Sequence, residues 1–125
     1  MQLKIDTKEK FHVITIKEPE IAANMTAALD ESLLPFLEMP VKNVVLNLED
    51  TQKLDIAAAE KLLTLQQTFY EQHASFVLCC LQPQVEQALD EQELLELMNS
   101  TPTESEAWDI VQMEEIEREL LGGEE

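Results

Sequence analysis

The sequence predicts an α/β fold, and three observations predict it. Short apolar, β-branched runs stand at residues 11–16, 44–48 and 75–81. Between them lie longer stretches whose apolar residues recur every three or four positions, the helical period. The middle run, VVLNL, is nearly continuous in apolar character, as in a strand covered on both faces.

Taken in order, residues 3–5 and 11–16 read as two strands. Leu3 and Ile5 alternate around Lys4, and Phe11 and Val13 lead a β-branched run. Residues 6–10 form a short hairpin connection without the glycine that favours a tight turn. Glu18 and Pro19 end the second strand, since proline donates nothing to a ladder. Ile21, Met25, Ala28, Leu29, Leu33 and Phe36 then mark one face of a helix of about four turns, which Pro35 terminates or kinks.

After the central strand at 44–48, Asp55 is placed to cap the next helix, accepting hydrogen bonds from its otherwise unpaired amides. Ile56, Ala59, Leu62, Leu63, Phe69 and Tyr70 share a broad face of that helix. Residues 75–81 are the next buried strand. Pro83 opens a short helix carrying Val85, Ala88 and Leu89. A short strand is expected near 97–99. The last helix has the clearest start: T-E-S-E from Thr103 to Glu106 is a capping box. Ala107, Ile110 and Val111 form its first apolar face. Met113, Ile116 and Leu120 lie on a face rotated well away, so the helix bends or its tail covers something different. Gly122 and Gly123, the only glycines, are expected to stop it.

At 125 residues the chain is most simply one domain with a real core. Residues 1–112 are assigned to that domain and 113–125 to an acidic helical extension and tail. The extension is expected to pack back on the body or, as the less favoured alternative, to form a homodimer. Twenty-six acidic residues against eight Lys and Arg give a net charge of -18. Such a surface repels nucleic acid and anionic lipid; it reads first as a means of solubility and, in the sharper alternative, as attraction to a basic protein face. The imbalance is concentrated late in the chain: Arg118 is the only basic residue beyond Lys61. No apolar run approaches the roughly 18 residues that span a membrane, and MQLKID is no secretory leader, so a cytoplasmic location is expected.

Little here points to catalysis. His12 and His73 are isolated, no C-x-x-C exists, and a Gly-rich phosphate loop is impossible with two terminal glycines. No metal or cofactor is expected. Glu114, Glu115 and Glu117 read as a solvated helix face. Cys79 and Cys80 are adjacent in a strand, point to opposite faces and read as two buried thiols, with a vicinal disulfide as the rare alternative. Trp108 reads as partly buried at the sheet edge, or else as an exposed anchor of the type found at interface hot spots. The informative stretch runs from Val41 to Tyr70. It holds a buried strand, a loop at its carboxyl end, and a helix start aimed back at the loop. Ligands and partners of open α/β sheets bind in that strand-end crevice.

From Leu3 to about Val111 the order of elements resembles the STAS domain, the fold of bacterial anti-sigma factor antagonists. The resemblance rests on VVLNLED, the loop TQKLD, the helix from Ile56, and FVLCCL. It extends through LQPQVEQALDEQELLELMNSTPTESEA, where a short helix, a leucine-bearing stretch and a Pro-Thr-x-x-Glu-Ala helix start follow one another. It implies a single mixed β-sheet of about four to five strands packed by about four helices, and function by docking onto another protein.

In familiar members an anti-sigma factor that is also a serine kinase phosphorylates an Asp-Ser-Ser/Thr-Gly motif at this helix start. The phosphate adds up to about two negative charges to the docking surface and breaks the interface. Here Asp55 matches the aspartate, but Ile56 stands in the place of the serine, Ala57 of the next hydroxyl residue and Ala58 of the glycine. Thr51 and Thr64 are the nearest hydroxyls. The resemblance therefore implies a non-enzymatic module that binds a protein such as an anti-sigma factor. Its contact centre would be Asp55, Ile56, Ala57 and Ala58, with Thr51 and Lys53 on the loop beside it, and no phosphorylatable serine. The alternative is an adaptor subunit of a multi-protein complex such as a lipid-transport ABC assembly. Ile56 either meets the partner or turns into the core.

Overall fold

In the computed structural model, which describes residues 1–122, five strands form one mixed sheet in the spatial order β1 (Leu3–Thr7), β2 (His12–Ile16), β4 (Val44–Asn47), β6 (Phe76–Cys79) and β7 (Ser100–Thr101). β1 and β2 make the expected hairpin, pairing Leu3 with Ile16 and Thr7 with His12. Without a glycine the connection closes through the Lys8 amide on the Phe11 carbonyl at 2.8 Å. β4 runs parallel to β2 on one side and to β6 on the other. Every residue of β2, β4 and β6 is buried, which accounts for their nearly unbroken apolar runs. β7 extends the sheet beside β6, a few residues after the strand expected at 97–99. Residues 95–97 instead form a 3-10 turn.

One face of the sheet packs α1 (Thr26–Leu33), α2 (Ile56–Glu71) and α3 (Pro83–Glu91) through a core that includes Ile14, Leu46, Leu78, Leu29, Leu62, Phe69 and Leu89. Phe69 tilts against Phe76 with ring centroids 5.0 Å apart. The other face packs α4 (Glu104–Gly122) over Val13, Val45, Val77 and Cys79, with Ala107 and Val111 pointing inward. Trp108 is half-buried there and stacks on Phe11 at 4.6 Å, so the partial-burial expectation holds.

The first expected helix is interrupted. A 3-10 turn at Ala23–Met25 precedes α1, and a second at Leu34–Glu38 carries Pro35 in its first turn. Ile21 belongs to no helix. It pairs in a short strand, β3 (Glu20–Ile21), with β5 (Lys53–Leu54), and two-residue strands carry no periodicity to read. Ile21 is fully buried all the same, so its apolar spacing from Met25 marks a shared side of the core and not a helix.

α2 and α3 both stop without glycine. His73 and Glu93 adopt left-handed backbone with φ of 61° and 60°. Ala74 and Leu94 then donate their amides back to Phe69 and Leu89 at 2.9 Å, closing Schellman turns. At α4 the Glu106 amide donates to Thr103 Oγ1 at 3.2 Å, the first half of the expected capping box. Gly122 is the last residue of α4, and the stop assigned to Gly123 lies outside the described residues.

Candidate functional site

Beyond the carboxyl end of β4 the chain forms a loop, β5 and the first turn of α2. The loop is fixed from behind. Asn47, nearly fully buried, accepts the Glu49 amide at 2.8 Å and donates to Glu104 at the start of α4 at 2.7 Å. Thr51 is fully buried, and its hydroxyl donates to the Glu18 carbonyl at 3.0 Å. The amides of Gln52 and Lys53 both donate to the Pro19 carbonyl, and that of Asp55 to the Ile21 carbonyl. Lys17 reaches Asp50 at 2.7 Å and Gln82 reaches the Glu49 carbonyl at 2.7 Å.

The residues expected to form the contact centre divide by exposure. Ile56 is 50% exposed, and Ala57 and Lys53 are exposed beside it. Lys53 pairs with Glu20 at 3.3 Å, its side chain well exposed at the rim. Ala58 is fully buried against the core, as is Thr51, so neither offers surface to a partner. Of the two orientations open to Ile56, the structure shows the outward one. The inward stripe of α2 is Ala58, Ala59, Leu62, Leu65 and Phe69, which turns Ile56 and Tyr70 out at the two ends of the helix.

Asp55 corrects a second expectation. Its backbone holds the N-cap conformation, yet its side chain caps nothing in α2. Pairing of β3 with β5 places residues 22–25 alongside, and Asp55 Oδ2 accepts the amide of Ala23 there at 3.1 Å. The carboxylate therefore satisfies a free helix-start amide, but of the neighbouring 3-10 turn.

Neither threonine hydroxyl near this helix start is presented to solvent as a free group. The Thr51 hydroxyl is buried and donated, and that of Thr64 lies further along α2, donating to the Glu60 carbonyl at 3.1 Å. Cys79 is buried and Cys80 half-buried at the end of β6, and both are free thiols. Burial is the main cause raising both thiol pKa values. His12 is a satisfied core residue, its ring bonded to the Thr7 hydroxyl and the Val41 carbonyl, while His73 is exposed. Among the described residues no group of three or more His, Cys, Asp or Glu side chains is placed to hold a metal ion. No helix among them is long and apolar enough to cross a membrane.

The class defined by this arrangement is an α/β protein in which a rigid strand-end loop displays one helix start. The sequence model of the STAS domain matches residues 2–107, and the chain belongs to that family. No curated protein matches the sequence. Among solved structures, the Thermotoga maritima protein TM1081 superposes with a TM-score of 0.76 at 17% identity, covering 88% of this chain and 94% of that one. An anti-sigma factor antagonist from Mycobacterium paratuberculosis gives 0.75 at 14% identity, covering 89% and 93%. RsbS from Moorella thermoacetica, in a serine-to-glutamate form, gives 0.72 at 19% identity, covering 90% and 96%. At these identities the likeness is one of fold.

Proposed function

We propose that the chain is a non-enzymatic regulatory module that docks onto a protein partner of the anti-sigma factor class through the start of α2. The observation that carries this is Ile56: a large apolar side chain, half exposed, at the tip of a loop otherwise pinned by hydrogen bonds. Ala57 beside it permits close approach, and Lys53 and Asp55 supply polar edges. Thr51 and Ala58 act from behind, holding the loop and seating the helix. With Ile56 and Ala57 in the positions of the family's hydroxyl residues, this surface has no serine for a kinase to modify. Docking would be regulated by partner supply or by another site.

Ala57→Arg should abolish partner binding while the fold stays intact, because the position is exposed. Affinity capture from the native cell with mass spectrometry identifies the partner, and calorimetry with that partner compares the variant. Unchanged affinity removes the α2 start from consideration. Co-purification with a transporter ATPase, and not with a kinase-like protein, would favour the adaptor role instead.

A further inference from the structure

α4 has a second apolar stripe that the fold does not use. Its inward side is committed as far as Arg118. Ala107 and Val111 pack on the sheet in the first half. In the second half polar side chains take over. Glu115 accepts Asn43 Nδ2 at 2.6 Å, and Arg118 donates to the Ser75 hydroxyl at 3.2 Å and to Asn43 Oδ1 at 3.3 Å. Glu114 accepts from Asn99 at 3.3 Å. Asn43 and Ser75 are buried at the starts of β4 and β6, so these bonds fix the rotation of the helix. Met113, Ile116 and Leu120 are consequently held outward, at 60%, 57% and 68% exposure. The expected packing of this face onto the body does not occur.

We propose that this stripe is the docking site for a cationic amphipathic helix of another protein. Positions 113, 116 and 120 have the i, i+3, i+7 spacing by which one helix lays apolar anchors along another. The exposed charges of the helix itself are all acidic, Glu106, Asp109, Glu117 and Glu119 among them, while Gln112 is neutral and Lys8 and Lys10 approach its Trp108 side. Its one cation, Arg118, is turned inward to Asn43 and Ser75. A helix with leucine-type side chains on one face and lysine or arginine at its margins complements both features. A second copy would bring the same carboxylates and another net charge of -18, and an anionic lipid surface is repelled likewise. The stripe lies beyond the 2–107 segment shared with the family, on a helix that packs on the opposite sheet face from α2.

The test titrates the full chain with a fluorescent Leu–Lys amphipathic helical peptide, using its Leu–Glu counterpart as control. A single Leu–Lys peptide should bind per chain, and the Leu–Glu peptide should not. Ile116→Gln, which keeps every charge and changes an exposed position, should weaken binding by about tenfold or more. Raising salt from about 0.05 to about 0.5 M should weaken it further, and Ala57→Arg should leave it unchanged. Undiminished binding to Ile116→Gln would reduce the effect to diffuse attraction and overturn the proposal. Sedimentation of the native chain as a dimer that Ile116→Gln dissolves would overturn it too, giving the stripe to a second copy.

Discussion

α2 and α4 are the two longest helices of the described chain, on opposite faces of one sheet, and they distribute their apolar residues differently. α2 gathers Ala58, Ala59, Leu62, Leu65 and Phe69 into one inward stripe. Its apolar outliers, Ile56 and Tyr70, stand at its two ends. α4 buries only Ala107 and Val111, then exchanges apolar packing for hydrogen bonds that Glu114 and Glu115 accept and Arg118 donates. Its later apolar residues face the other way. In α2 a hydrophobic residue is read by the core; in α4 half of them are read by nothing in the molecule. An amphipathic pattern with one face reports folding, whereas a second face reports a surface.

The contrast can be broken at its strongest point first. Phe69→Ala removes a fully buried ring from the α2 stripe and its contact with Phe76, and should cost about 3–5 kcal/mol in urea denaturation. Asn43→Ala strips the polar seat of α4 and should cost about 1–3 kcal/mol. Hydrogen exchange should then rise in the second half of α4 while α2 keeps its protection. Equal loosening of both helices would show that α4 is not separately anchored.

A smaller effect tests the α4 side alone. Cys79 lies beneath Ala107 and Val111, and burial, with Cys80 adding to it, pushes its thiol far above the ordinary range. Above that range the unfolded chain gives up the proton that the folded chain keeps, so stability falls as pH rises. Denaturation midpoints between about pH 8 and about pH 10 should decline, and Cys79→Ala should flatten the decline. Lys8 and Lys17, held above the usual lysine range by hydrogen bonds to Asp6 and Asp50, stay charged across this window.

The order of strands and helices is legible because each element carries its own period or punctuation: the VVLNL run, Pro83 opening α3, and Thr103 facing Glu106. What stays hidden depends on contacts distant in the chain. β3 and β5 are too short to show alternation and exist because Ile21 and Leu54 meet across the fold. Asp55 occupies its cap position visibly, but its Ala23 partner is a tertiary fact. Ile56 could not be oriented from spacing alone, since either side of α2 near its first turn fits the count. The anchoring of α4 joins Arg118 to Asn43, 75 positions apart. The two faces of that helix were nevertheless visible as a mismatch between Ala107, Val111 and Met113, Ile116, Leu120.

If the α2 start is the docking surface proposed above, the pairing of the loop amides with Pro19 and Ile21 sets how a partner could be read there. A visiting chain cannot add itself as a strand there by taking the Gln52, Lys53 or Asp55 amides, because those donors are already bonded. It must instead read side chains on a surface whose shape precedes its arrival. Little conformational freedom is then lost on association. Differences between partners of similar charge should therefore register more in how long each stays bound than in how fast each arrives.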